Sequence, residues 1–341
     1  MTPMPRNTTS LWFRIRKAGI RRYDALIHEQ PKDWLIQNFS AGSTDYPVNV
    51  SKLMRNIVWQ IRERILQKQK PPLKELVRTF WYMYIKPTLS RAGALSSDSD
   101  QYAQLVSNIV FMVKDANLME YKDIGFRDDN QANRHLGGNA NIILFSEKLG
   151  HQDFLSDIAG KYNVSIIALG GQPSVLNVEY FVDTMRQAGV NLKRSFYLFS
   201  IVDYDPSGWI IRDAFLDDLH FYGIPHTQVI DLVHPDMLTL EEVKLSRFEF
   251  PDNDAMRVKN KAWLKEVHQR NYQNQIYLEE VKAGKPVLYG LEAEAVSSQR
   301  LTQKLEQEML PLLGQSEDLL KIFELEKLNQ SIKDLILFKI A

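Results

Sequence analysis

The chain contains no cysteine in 341 residues, so disulfides and thiolate metal centres are excluded and any nucleophile is a Ser, Thr, Tyr, Lys or carboxylate. No apolar run approaches the roughly 18 residues that a membrane-spanning helix requires. The N-terminus also lacks the long apolar core of a secretory signal, so an intracellular protein of the cytoplasm, nucleoid or nucleus, with no membrane association, is expected. The seven histidines, among them His220, His226 and His234, show no metal-ligand spacing such as H-x-x-x-H and read as surface or core residues. "HLGGN" (135–139) and "LGGQ" (169–172) lack the trailing Gly-Lys-Ser/Thr of a phosphate loop and the full dinucleotide fingerprint, so both read as turns. No ATPase motif is present, so any ATP-driven step needs a separate subunit.

What is present is ordinary in bulk and uneven in distribution. With 44% hydrophobic and 25% charged residues the chain is of globular composition, long enough for two or three domains with their own cores. The formal net charge is zero, yet from Met1 to Arg91 there are 17 Lys/Arg against 6 Asp/Glu, a surplus the remainder cancels. Such a surplus attracts a polyanion in a salt-sensitive, sequence-independent way, though on its own it more often marks a solvated surface.

Along the chain, a helical stretch is expected over 11–27, a loop at "SAGSTDYP" (40–47), and helices over 50–70 and 73–86 separated by Pro71-Pro72. "SSDSD" (96–100) reads as a helix entry, followed by a helix over 101–118 with apolar Leu105, Ile109, Phe111, Val113 and Leu118. Several short helices with a basic surplus suit a winged-helix-type DNA-binding module, although no wing is legible. After "RDDNQANRHLGGN" the pattern changes. "NIILF" (141–145), "SIIALG" (165–170) and "FYLFSIV" (196–202) are short unbroken apolar runs separated by helical patterns around 151–162 and 177–189. This βαβαβ pattern predicts a parallel sheet covered by helices on both faces, an α/β architecture whose ligands gather at the carboxyl ends of the strands.

The run "YLFSIVDYDPSGWIIRDAF" (197–215) ends at that functional edge with Asp203, Asp205 and a Pro206-Ser207-Gly208 turn into a helix, and Glu147 lies two residues past "NIILF". Alternation along an extended chain directs Asp203 and Asp205 to one side. Three hard oxygen ligands suit a Mg²⁺ ion that keeps waters and grips a phosphate. The plainer reading is an acidic turn with an Asp capping a helix.

Glu147-Lys148 after a strand, "LGGQPS" (169–174), and Asp203-Tyr204-Asp205-Pro206-Ser207-Gly208-Trp209, in that order, resemble a Toprim domain, the metal-binding fold of topoisomerases, primases and some nucleases. The D-x-D-P-x-G-W form most resembles the A-type subunits of topoisomerase VI and the meiotic double-strand-break transesterases. That family carries upstream an Arg, an apolar pair and a catalytic Tyr in a winged-helix domain, and "LVRTFWYMYIKP" supplies Arg78, Thr79, Phe80, Trp81 and Tyr82. Where the family usually has Tyr before the nucleophile, this chain has Trp81. A helix over 73–86 would place Leu73, Leu76, Val77, Phe80, Trp81 and Tyr84 on an apolar stripe, with Glu75, Arg78 and Tyr82 on another face. Tyr82 is then presented and Tyr84 packed. A phenol is a weak nucleophile at neutral pH and needs a nearby cation or base, which Arg78 one turn earlier can supply. The family's winged-helix core is also similar to 101–118 with "DIGFRDDN" and Gly125, and its late acidic-apolar segment to "GKPVLYGLEAEAV" (284–296).

The resemblance spans roughly 60–310 and implies a winged-helix nucleophile domain (46–135) and a Rossmann-like Toprim domain (136–312); the segments it does not reach read as an N-terminal extension (1–45) and a C-terminal helix (313–341). The last contains "EDLLKIFELEKLNQSIKDLILFKI", at near-heptad spacing, suited to packing in the core or on a partner helix. The resemblance further implies a homodimer with composite sites. In each, Tyr82 of one chain attacks double-stranded DNA and forms a 5′-phosphotyrosyl link, with Arg78 beside it. Glu147, Asp203 and Asp205 hold Mg²⁺, Glu147 being ligand or proton-transfer partner. A type IIB topoisomerase of the A-subunit type, with or without a separate GHKL-type ATPase, is therefore expected. The alternatives are a Toprim nuclease using metal-activated water and a non-catalytic DNA-binding subunit.

Overall fold

The computed structural model describes residues 10–41, 47–169, 174–250, 254–282 and 284–313, without the side chains of 254–256. Residues 170–172 of "LGGQ", most of the 40–47 loop and the expected C-terminal helix beyond 313 lie outside the described residues. The chain divides into two compact units, Met1–Asp129 with Val175–Tyr180, and Asn130–Ser174 with Phe181–Ala341.

The first unit is helical, built from α1 (Leu11–Lys17), α2 (Lys32–Phe39), α3 (Val50–Leu66), α4 (Val77–Phe80), a π-helical turn (Trp81–Ile85), α5 (Lys86–Ala92) and α6 (Asp98–Val110). α6 runs into a second π turn, Phe111–Asp115. Its core gathers Leu53, Ile57, Phe80, Trp81, Leu105, Ile109 and Phe126. The helix expected over 11–27 stops at Lys17, because Gly19 turns left-handed at φ 71° and the following segment is bonded to α3 instead. The buried Asn56 and Gln60 amides of α3 take the carbonyls of Gly19, Tyr23 and Ala25 and the N–H groups of Arg21 and Ile27. These side chains replace the backbone bonds a helix would have made.

The helix expected over 73–86 begins only at Val77. Beyond Pro71-Pro72 the chain stays non-helical, with Lys74 at φ 55°, and pairs with a distant segment. Leu73 N–H donates to Ile124 O (3.0 Å), Lys74 N–H to Gly125 O (2.9 Å) and Arg127 N–H to Glu75 O (2.7 Å). Glu75 therefore does not share a helical face with Arg78 and Tyr82, and Leu76 at 36% exposure is not part of a buried stripe. A Cβ on Gly125, already at φ 76°, would stand 2.7 Å from Pro72 Cβ, so this pairing requires glycine. The helices expected over 50–70 and 101–118 likewise end at Leu66 and in the π turn, before the left-handed residues Lys68 (φ 59°) and Asn117 (φ 45°).

The second unit is α/β. Its five-stranded sheet has the order β1-β3-β2-β4-β5, from β1 (Arg134–His135), β2 (Asn139–Ser146), β3 (Val164–Ala168), β4 (Phe196–Ile201) and β5 (Thr227–Asp231). The last four are parallel, and β1 adds an antiparallel edge on β3, so the sheet is mixed. Crossovers run through α7 (Gln152–Tyr162), α8 (Val175–Gln187) and α9 (Pro206–Phe221). Strands buried on both faces explain the unbroken Ile/Leu/Phe runs, every residue of β3 being buried. α10 (Leu240–Ser246) and α11 (Asp254–Arg270) accompany a three-stranded antiparallel sheet of order β6-β8-β7, made of β6 (Arg247–Glu249), β7 (Glu279–Lys282) and β8 (Lys285–Leu291). A bridge between Tyr204 and Leu291 ties that sheet to the end of β4, and α12 (Ser298–Leu313) closes the described chain.

Candidate metal centre and candidate nucleophile

β2 and β4 are parallel neighbours, Ser146 opposite Ile201, so the residues that follow them emerge side by side at the carboxyl edge. Glu147 N–H donates to Ile201 O (3.3 Å), and the Asp203 N–H in turn donates to the Glu147 carboxylate. Tyr204 exchanges both backbone bonds with Leu291 (2.8 and 3.2 Å). Its ring is buried among Trp209, Trp263 and Tyr272, and its hydroxyl donates to Gln275 Oε1 (2.8 Å). Anchoring the middle residue inward leaves Asp203 and Asp205 to the opposite side, as extended-chain alternation requires. Asp205 is the N-cap of α9, Oδ1 accepting Gly208 N–H at 2.6 Å. The helix-cap reading of that turn therefore holds alongside any ligand role.

Gly208 is where the turn closes on itself. A Cβ there would meet Asp203 O at 2.3 Å, so the glycine allows α9 to start against the strand end.

Asp203 is shared among several partners. Oδ1 accepts Ala293 N–H (2.8 Å) and the Lys148 ammonium (3.0 Å), while Lys148 also reaches Glu294 Oε2 at 2.7 Å. The ion pairs hold the Lys148 pKa above the ordinary lysine value against its partial burial. Burial, then the charges of Asp203 and Asp205, push Glu147 above the usual carboxylate range, and burial raises Asp205 as well. Glu147 Oε2 is buried with no hydrogen-bond partner. The three acids expected from the sequence are thus neighbours that repel one another. As the side chains lie, no group of three His, Asp or Glu among the described residues is arranged to hold a metal ion, and Lys148 supplies the positive charge at Asp203. The donor chemistry fits a hard divalent cation, because an orphaned carboxylate oxygen beside two more acids is what such an ion satisfies. Lys148 was visible next to Glu147 and Glu294 within "LEAEAV", but only the fold brings residues 148, 203 and 294 together.

In the helical unit, Phe80, Trp81, Tyr84 and Ile85 are buried while Tyr82 is 47% exposed. The π turn widens the helix here, and such turns are frequent at functional sites. Arg78 Nη2 donates to Tyr82 Oη (3.1 Å). The Arg78 guanidinium and the Lys86 ammonium lie 5.3 and 5.1 Å from the Tyr82 ring centroid. Asp98, the first residue of α6, completes the group. It accepts the Trp81 indole N–H (3.1 Å) and pairs with Lys86 (3.0 Å) and Arg78 (3.4 Å). Sequence reasoning placed Arg78 and Tyr82 together and missed Lys86 and Asp98; the "SSDSD" helix entry gave no sign of what Asp98 would face.

No protein-family model matches the chain, and no curated protein matches it significantly.

Proposed function

We propose that the protein is a DNA-cleaving transesterase of the topoisomerase VI A-subunit type, a helical winged-helix unit followed by a Toprim unit. The observation that carries this reading is the half-exposed phenol of Tyr82, with an Arg78 N–H on its oxygen and Lys86 beside its ring. Tyr84, two residues on, is buried with the core and could not present its hydroxyl to a substrate in this way. The backbone pairing of 73–75 with 124–127, which the local sequence pattern did not reveal, supports reading this unit as a winged helix. The neighbouring acids at the sheet edge add the second half of the chemistry.

In this reading the basic first unit holds duplex DNA through its phosphates. Arg78 and Lys86 attract the scissile phosphodiester and stabilise charge that develops on it. The Tyr82 oxygen bonds to phosphorus, the P–O3′ bond breaks, the 3′-oxygen takes up a proton and the phenol gives one to solvent. Glu147, Asp203 and Asp205 are the residues that would hold Mg²⁺, which when bound supplies charge stabilisation to the phosphoryl and leaving oxygens. Glu147, with its raised proton affinity, can also hold the proton the 3′-oxygen receives. As the resemblance implies, a homodimer pairs Tyr82 of one protomer with the acids of the other, and a separate GHKL-type ATPase would supply any ATP-driven strand passage.

Incubation with duplex DNA and Mg²⁺ followed by rapid denaturation is expected to trap protein on 5′ ends, and Tyr82→Phe to abolish trapping. Cleavage that survives Tyr82→Phe but is lost in Asp203→Ala would replace this reading with a metal-dependent nuclease. Salt-sensitive binding without cleavage under any divalent metal would leave a DNA-binding subunit.

A further inference from the structure

We infer that Asp98 is the positioning residue of the nucleophile, clamping Trp81, Arg78 and Lys86 around Tyr82 and accepting the phenol's hydrogen bond. The inference rests on the transesterase reading and extends it to a residue that the resemblance did not assign.

The geometry converges on one carboxylate. Oδ1 takes the Trp81 indole N–H at 3.1 Å and the Lys86 ammonium at 3.0 Å, while Oδ2 takes Arg78 Nη2 at 3.4 Å. The Tyr82 hydroxyl stands 3.5 Å from Oδ2, long for such a bond. Catalytic hydrogen bonds in free enzymes are often long and tighten when substrate arrives. Arg78 already donates to the phenol oxygen, so the hydroxyl proton has to point elsewhere, and Asp98 Oδ2 is the acceptor within reach. The phenol lone pair not engaged by Arg78 is then turned outward.

Each partner fixes one degree of freedom. Trp81 is fully buried, so its indole anchors Asp98 to the core and not to a mobile surface chain. Asp98 opens α6, where Ser97 caps the helix by accepting Asp100 N–H, which fixes the backbone from which it projects. The hydrogen bonds from Lys86 and Trp81 keep Asp98 below the usual carboxylate range, so it is ionised at neutral pH. This gives the departure at position 81 a physical use: an indole N–H, unlike a phenol in the same place, is an obligatory donor and can only hold an acceptor. The arrangement also sets an order of events. An incoming phosphodiester competes with Asp98 for Arg78 and Lys86, and as these cations turn to it the phenol remains tied to Asp98.

The test uses Asp98→Asn and Asp98→Glu in the full chain, with Tyr82→Phe in parallel. Single-turnover formation of the covalent DNA adduct is expected to fall roughly 10–100-fold in Asp98→Asn, the scale of a misplaced reacting group. DNA affinity, read by fluorescence anisotropy, should stay equal or rise, since a negative charge near the phosphate is gone. Asp98→Glu should recover part of the rate. In DNA-free protein labelled at its six tryptophans with ¹⁵N, the Trp81 indole resonance, assigned by Trp81→Phe, should move in Asp98→Asn. An unmoved resonance, or an adduct rate equal to that of the unmodified protein while Tyr82→Phe is inert, overturns the role of Asp98 and leaves the transesterase reading standing. Adduct formation that persists in Tyr82→Phe overturns the transesterase reading itself.

Discussion

Lys148→Met is expected to weaken the metal-free fold and at the same time tighten divalent cation binding. Lys148 bridges Asp203 at 3.0 Å and Glu294 at 2.7 Å, with Asp203 the sheltered partner at 16% exposure and Glu294 the open one at 53%. A charge-assisted bond to a sheltered group contributes about 1.5–3 kcal/mol, and an exposed pair adds about 0–1 kcal/mol. Methionine keeps most of the apolar stem, so the loss is mainly of charge. A destabilisation of about 2–3 kcal/mol follows, which for a unit of this size lowers Tm by roughly 4–12 °C. The linkage has the same sign at every ordinary pH. The Lys148 pKa is raised in the fold, so its contribution is complete at neutrality and disappears only as pH rises past the normal lysine range. A cation entering the site must draw Asp203 away from Lys148. Removing that competitor returns the sheltered part of the energy to binding, about 10–100-fold in affinity. Calorimetric titration with Mn²⁺ and thermal scans in EDTA read the two effects. A lower Tm with unchanged or weaker Mn²⁺ binding would refute the idea that Lys148 and the cation share Asp203.

Three further outcomes are expected. Because Glu147 and Asp205 are raised in the fold, the stability they contribute is present at low pH and is lost as pH rises through their elevated values; in EDTA, Glu147→Gln should flatten that fall in Tm, and a steeper fall would contradict the assignment. Gly208→Ala forces a carbon into a space 2.3 Å from Asp203 O, and should cost about 1–3 kcal/mol by denaturant titration while displacing Asp203 and reducing Mn²⁺ affinity. Arg212 and Asp231, both 3% exposed, form a buried pair in which Arg212 Nη1 donates to both Asp231 carboxylate oxygens at 2.9 Å, with the guanidinium over the Trp209 ring. Asp231→Ala leaves that guanidinium buried with only its peripheral partners and should cost about 3–5 kcal/mol, whereas a midpoint within about 1 kcal/mol of the parent protein would show the pair to be expendable.

The α/β character of the second unit was legible because its central strands are buried on both faces and so must be written as continuous apolar runs; β2, β3 and β4 fall where those runs lie. Asp203, Asp205 and Gly208 were legible for a local reason, since strand, turn and helix cap are specified within a few residues. Helix ends were less so. Gly19, Lys68, Lys74 and Asn117 all turn left-handed, and three of these four are not glycine, so composition alone did not mark them. The expected helix over 73–86 failed at its start because residues 73–75 found backbone partners some fifty residues away, a bond that no local periodicity encodes. What only the tertiary structure decided is which charges meet. Lys148 between Asp203 and Glu294, and Asp98 among Trp81, Arg78 and Lys86, are contacts across sequence gaps that no pattern spans. The sequence determines which groups can ionise and which segments are buried, because those are properties of residues and their near neighbours. Electrostatic pairing depends on distance in space, and that distance is set only when the strands and helices have packed.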